Sequence, residues 1–205
     1  RFKSINVENL EKNRLIFRQT LFNSRGTKDY IGGVILFDET IRQKTTLGPT
    51  VTELIINQGA IPGIKVDKGA KPLAGADEET VTEGLDGLRE RLKEYYDLGA
   101  RFTKWRAVYK ISGKCPSPQS IKSNAHALAR YAALVQEAKM VPIIEPEVLM
   151  DGSHDIEECY RVTTNVLNEC YNELETHKVD LEGTVLKPNM VIPGSECKSK
   201  SSSEE

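Results

Sequence analysis

The sequence predicts an α/β fold: an incomplete (β/α)8 barrel holding about five central parallel strands with their helices. Three observations lead there. Short runs rich in Val, Ile and Leu recur at residues 32–37, 60–67, 102–110, 140–149 and 183–191, and longer helical patterns lie between them. Such alternation means parallel strands with right-handed crossovers, in either a closed barrel or an open doubly wound sheet. No Gly-x-Gly-x-x-Gly turn and no Walker-type loop follows any of the runs, which disfavours the dinucleotide-binding form and puts the barrel first. Five strands do not close a barrel that takes about 250 residues, and the chain has 205.

In order along the chain, Leu10, Phe17 and Leu21 begin a helical pattern almost at the first residue, with no strand before it. After the run at 32–37, Thr50-Val51-Thr52-Glu53 forms a capping box that opens a helix closed by Gly59. Leu85, Leu88, Leu92 and Tyr95 recur at helical spacing before Gly99. Ser117-Pro118 starts a further helix carrying Ile121, Ala125, Leu128, Ala132 and Val135. The strongest pattern spans 155–178, where Ile156, Cys159, Tyr160, Thr163, Val166, Leu167, Cys170, Tyr171 and Leu174 trace one expected face. Residues 1–205 are read as one partial barrel domain, with 195–205 a polar loop or tail. There, Ser201-Ser202-Ser203-Glu204-Glu205 resembles an N-cap with an acidic first turn, so the chain reads as an internal fragment.

Composition narrows the function classes. With 39% hydrophobic and 28% charged residues the chain is of ordinary globular type. Its apolar stretches fall short of the roughly 18 residues of a membrane span, and Arg1-Phe2-Lys3-Ser4 holds no signal-peptide core, so the expected location is cytoplasmic. A net charge of −2 offers no field for nucleic acid, although clustered Lys and Arg can still bind a small anion. Cys115, Cys159, Cys170 and Cys197 show neither paired nor zinc-type spacing with the three histidines. They are read as reduced structural thiols, Cys159 and Cys170 lying on one helix about 16 Å apart.

The chemistry-bearing residues sit inside the strand runs. Lys187 interrupts an apolar stretch at 181–191, and an amine buried mid-strand costs several kcal/mol unless paired or deprotonated. Lys65 and Asp67, Lys104 and Arg106, and Glu145 and Glu147 are each two residues apart, which puts both members of a pair on one strand face. In a barrel that face can be the lumen, so four successive strands would offer their charges to one mouth. Any one pair alone fits an interior ion-pair network. Together they fit imine chemistry: a lysine nucleophile held near a second cation such as Lys104, a glutamate to move protons, and surplus cations for a phosphorylated substrate. Trp105 alternates with Lys104 and Arg106 and is expected to face helix packing, while His126, His154 and His177 are expected on helix surfaces or in loops.

The segments Leu181-Glu182-Gly183-Thr184-Val185-Leu186-Lys187-Pro188-Asn189-Met190, Val141-Pro142-Ile143-Ile144-Glu145-Pro146-Glu147, Phe102-Thr103-Lys104-Trp105-Arg106, Gly63-Ile64-Lys65-Val66-Asp67-Lys68-Gly69 and Gly33-Val34-Ile35-Leu36-Phe37 resemble the class I fructose-bisphosphate aldolases. The resemblance runs from end to end. It implies a metal-independent lyase of glycolysis and gluconeogenesis, free of cofactors. Such an enzyme cleaves fructose 1,6-bisphosphate reversibly into dihydroxyacetone phosphate and glyceraldehyde 3-phosphate, and the complete protein is expected to be a homotetramer. By position in the motifs, Lys187 is the Schiff-base lysine, Glu145 the acid/base with Glu147 beside it, and Lys104 a substrate contact. Arg106 and Lys65 are electrostatic partners, and Arg14 and Arg1 match substrate- and phosphate-contacting arginines. The family's Asp-Glu-Ser strand, its Ser-Gly-Gly phosphate loop, its Gly-Arg phosphate contact and its C-terminal tyrosine are not among these residues. Two other readings stand beside this one. Another lysine-dependent barrel enzyme, such as a transaldolase or a deoxyribose-phosphate aldolase, would need different motifs around its lysine. A truncated, non-catalytic fragment or an interaction protein could also be built on the same scaffold.

Overall fold

The computed structural model describes residues 2–198 and 202. A 3-10 turn at Phe2–Ile5 leads into α1 (Glu11–Phe22), α2 (Thr27–Tyr30), β1 (Gly33–Leu36), α3 (Asp38–Ile41), α4 (Val51–Asn57) and β2 (Ile61–Lys65). There follow β3 (Ala70–Pro72), β4 (Thr80–Thr82), α5 (Leu88–Asp97), β5 (Phe102–Tyr109), α6 (Pro118–Glu137), β6 (Val141–Val148) and α7 (Ile156–Thr176). A 3-10 turn at Leu181–Gly183 precedes β7 (Val185–Leu186). The central sheet has five strands in the order β1-β2-β5-β6-β7, every neighbour pair parallel, as the alternation predicts.

Local chemistry sets the helix ends. Thr50 accepts from the Glu53 backbone N–H at 3.2 Å while the Glu53 carboxylate accepts from Thr50 N at 2.7 Å, so the capping box is complete. Ser117 caps α6, whose first residue is Pro118, by accepting from Ser120 N. Asp155 caps α7 by accepting from Glu158 N.

The core lies on one side of the sheet. Alternate residues of β5, namely Thr103, Trp105, Ala107 and Tyr109, are buried under α6, where Leu128, Ala129, Ala132 and Val135 are also closed to solvent. Trp105 packs on Tyr131 of α6 with ring centres 5.3 Å apart, as expected of a residue turned toward the helices. The Tyr131 hydroxyl donates to the Ile143 carbonyl at 3.2 Å and accepts from Thr103 at 2.6 Å, tying helix, β5 and β6 together where no water is available.

Several expectations need correction. The run at 183–191 pairs as a strand only over Val185–Leu186, because β7 has a neighbour on one side alone among the described residues. The face drawn on α7 holds for Cys159, Thr163, Val166, Cys170 and Leu174, but Tyr160 is 65% and Tyr171 40% exposed. Each follows a buried cysteine by one residue and so lies about 100° round the helix from the contact line. The pattern in α1 does mark a helix, yet no residue of it is buried. The hairpin β3–β4 was not foreseen, being short, polar and closed by Pro72. It is held by Asn124 of α6, which accepts from Thr82 N and donates to the Thr80 carbonyl. At the polar tail, Ser195 and Glu196 donate to the carbonyls of Met150 and Gly152. Ser201 and residues 203–205, and with them the expected helix start, lie outside the described residues.

Two substitutions measure these contributions in urea unfolding. Leu128→Ala, in the sealed α6 core, lowers stability by about 2–5 kcal/mol. Thr50→Ala, which removes one cap, costs about 1 kcal/mol.

Candidate active site

The strand face opposite the helices carries the charges. The register sets Lys65 beside Lys104, Lys104 beside Ile143, Ile143 beside Val185, and Arg106 beside Glu145. The pairs at spacing two therefore do share one face, near the carboxyl ends of neighbouring strands. Beneath them the face is apolar. Gly63 and Gly33 leave room for the Phe102 ring, and a Cβ built on Gly63 would come within 2.4 Å of it.

Glu145 is the centre of the arrangement, with its side chain only 4% exposed. The Lys187 ammonium donates to its Oε1 at 2.6 Å, and Lys104 pairs with its Oε2. Burial pushes the Glu145 carboxyl upward, but the hydrogen bonds and charges of Lys104 and Lys187 outweigh burial and hold it below the ordinary glutamate value. Around this triad, Arg106 pairs with Glu147, and Lys65 with Asp67. Asp67 also accepts from Gly69 N at 3.0 Å and from Arg106 N at 3.3 Å, so it fixes the loop after β2 against β5.

Lys187 is not the buried mid-strand amine expected. It follows the edge strand β7 and its side chain is 56% exposed, while its backbone N–H still donates to the Ile144 carbonyl at 2.9 Å. Nor do Lys104 and Lys187 meet as bare cations, since each takes a different oxygen of the Glu145 carboxylate. Asn189 was missed. Its Oδ1 accepts from Val148 N at 3.1 Å and its Nδ2 donates to Thr163 at 3.0 Å, so it anchors the segment just after Lys187. The only signal for it in the sequence is a polar residue after Lys187-Pro188.

The arginines near the N-terminus stand apart. Arg14 is bound to Glu39, through Nε at 3.0 Å and through Nη2, and to the Asn9 carbonyl at 2.8 Å. Hydrogen bonds from Arg14 and Arg18 hold the Glu39 carboxyl down to about 2. Arg14 borders an apolar hollow of about 400 Å³ shared with Phe2, Ile5 and Phe17, which offers no acid/base group. Arg1 lies outside the described residues. A second hollow, of about 570 Å³, opens at the end of β2 and is bordered by Arg42, Lys65, Lys68 and Arg91 together with the carboxylates of Asp38 and Asp67. His126 and His177 lie on α6 and at the end of α7, away from the charged row, and His154 is buried in the 149–155 loop.

What this geometry can do is transfer a proton between an amine and a carboxylate already in contact, in front of cations able to hold phosphate. Comparison with known proteins gives the family of the chain. The family profile for Fructose-bisphosphate aldolase class-I matches residues 1–205. A protein of Xanthomonas axonopodis pv. citri (strain 306) named "Probable fructose-bisphosphate aldolase class 1" is 58% identical over 205 residues, which is 100% of this chain and 61% of that protein. "Fructose-bisphosphate aldolase 4, cytosolic" of Arabidopsis thaliana is 56% identical over 200 residues, covering 98% of this chain and 51% of the relative. A crystal structure of fructose-bisphosphate aldolase from Plasmodium falciparum, in complex with TRAP and a small-molecule inhibitor, superposes with a TM-score of 0.96 at 48% identity over 98% of this chain and 58% of that one. The chain thus spans between half and three-fifths of the length of these relatives. The five parallel strands form part of a (β/α)8 barrel. On the full-length match of the profile and the identity of its relatives, the chain belongs to the class I fructose-bisphosphate aldolase family.

Proposed function

We propose that this chain carries the imine-forming centre of a class I fructose-bisphosphate aldolase, which cleaves fructose 1,6-bisphosphate reversibly into dihydroxyacetone phosphate and glyceraldehyde 3-phosphate. The observation that carries the reading is the 2.6 Å contact between Lys187 Nζ and Glu145 Oε1, with Lys104 on the other carboxylate oxygen. Glu145 takes a proton from the Lys187 ammonium, and the free amine attacks the C2 carbonyl of the ketose. Glu145 then returns the proton to the carbinolamine hydroxyl, which leaves as water as the imine forms. The C3–C4 bond breaks with its electron pair flowing toward the protonated imine nitrogen, as the C4 hydroxyl gives its proton to a base and becomes the aldehyde carbonyl, a role that the family resemblance gives to the aspartate of the Asp-Glu-Ser strand. The aldehyde half departs and the ketose half remains as an enamine on Lys187.

Surrounding groups have roles that fit their positions. Lys104, 16% exposed, keeps Glu145 ionised and faces the space where the substrate oxygens gather. Arg106, with Glu147, and Lys65, with Asp67 beside the hollow at the end of β2, supply positive charge for phosphate. A cytoplasmic setting is supported by the relatives named cytosolic.

Incubation with dihydroxyacetone phosphate followed by borohydride should leave one reduced adduct, mapped by peptide mass spectrometry to Lys187 and lost in Lys187→Met. A folded chain that takes no label would sink the imine reading and leave the non-catalytic scaffold.

A second outcome concerns pH. Because the folded value of Glu145 is depressed, its ionic contribution to stability is fully present above the unfolded carboxylate value of about 4.5, and is lost as pH falls through the folded value. The stability gap between the wild type and Glu145→Gln should therefore be flat above about pH 5 and narrow in more acidic solution. A gap unchanged down to pH 3 would contradict it.

A further inference from the structure

On the helical side of the sheet, the packing of α6 against α7 gathers two imidazoles and a carboxylate. Glu173 and His177 stand one turn apart on α7, and His126 meets them from α6. His126 Nδ1 lies 2.9 Å from Glu173 Oε2, and His177 Nδ1 lies 3.5 Å from the same oxygen. The two imidazole rings are 4.9 Å apart, edge to face at 70°. One ligand atom from each of the three residues falls within 4.8 Å of the others.

A plain ion pair between His126 and Glu173 explains only part of this. It leaves unexplained why a second imidazole stands against the same carboxylate, while His177 Nδ1 already bonds the Glu173 carbonyl at 2.9 Å. Nor does it explain why Glu173, at 13% exposure, is the least exposed of the three.

We propose that His126, Glu173 and His177 form a binding site for a divalent transition metal ion of the zinc class, bridging α6 to α7 with water completing the coordination. Tetrahedral zinc with bonds of about 2.0–2.1 Å sets neighbouring donor atoms about 3.3 Å apart. The separations of 2.9 Å and 3.5 Å to Glu173 Oε2 straddle that figure, the second of them open to a metal once His177 Nδ1 gives up its bond to the Glu173 carbonyl. Small rotations of the exposed His126 ring and the half-buried His177 ring would bring the remaining edge in. Two imidazoles with one carboxylate select zinc, cobalt, nickel or copper over magnesium or calcium, which take all-oxygen shells. The site is separate from the aldolase centre, since α6 packs on the Trp105 side of the sheet and Glu145 and Lys187 face the other. An ion there would pin together the two crossovers that cover β5 and β6, and so would act on stability rather than on the chemical step.

The metal-free chain is titrated with Co2+, whose visible absorption reports imidazole and carboxylate ligation, and Zn2+ is then added in competition. One ion per chain is expected, displaced by Zn2+, with binding weakened by about 10- to 100-fold or more in His126→Ala and in His177→Ala. The thermal midpoint should rise with Zn2+ in the wild type and not in either variant, with helical circular dichroism confirming that both variants are folded. Equal binding in both variants would place the ion elsewhere, on the thiols of Cys115 or Cys197 for example, and overturn the assignment. So would the absence of a Co2+ spectrum and of any midpoint shift at millimolar ion.

Discussion

A carboxylate that water scarcely reaches stays ionised in this sheet because two ammonium groups reach it. Glu145 is 3% exposed, and a lone charge so placed would be relieved by taking up a proton. Lys104 from the neighbouring strand and Lys187 from the segment after β7 each take one of its oxygens. That single requirement ties three strands to one register. A slip of one residue in β6 would turn Glu145 toward Trp105 and Tyr131 and leave both lysines facing apolar neighbours.

The sheet divides its labour by parity. In β5 the odd positions Thr103, Trp105, Ala107 and Tyr109 close the core, and the even positions Lys104 and Arg106 face the other way. Tight packing on one side gives the charged side a stiff base, because Tyr131, on which Trp105 packs, cannot shift without breaking its hydrogen bonds to Thr103 and Ile143. Phe102 extends an apolar floor across Gly63 and Gly33, so the charges stand above a surface that offers them no competing partners.

This parity is what made so much of the site legible in the sequence. Spacing of two within β-type runs places side chains on a common face without any knowledge of tertiary structure, which is why Lys65, Lys104, Glu145 and Lys187 were foreseen as one row. The capping box at Thr50 and the Ser117-Pro118 start are similarly local. What stayed hidden depends on partners distant in sequence. Nothing near Arg14 announces that Glu39 will claim it. The paired positions of β7 number two because, among the described residues, it is held from one side, and apolar composition cannot reveal where a strand lies in its sheet. The meeting of His126 with His177 rests on how α6 lies across α7, and only the Glu173–His177 spacing of four is local.

The exposure of Lys187 reverses the reason first given for its interest, and strengthens the chemical reading. An amine sealed within a sheet would be held by its cost, but it could not meet a ketose. Here the backbone is fixed on both flanks, by the bond from Lys187 N to the Ile144 carbonyl and by Asn189 bridging Val148 and Thr163. The Lys187 side chain, 56% exposed, touches Glu145 and borders the open face. Glu145 has a second hold that does not depend on Lys187, its pair with Lys104. On the proposed imine chemistry, a fixed, ionised carboxylate beside an exposed amine with an anchored backbone is the arrangement that repeated proton transfer to a carbinolamine requires.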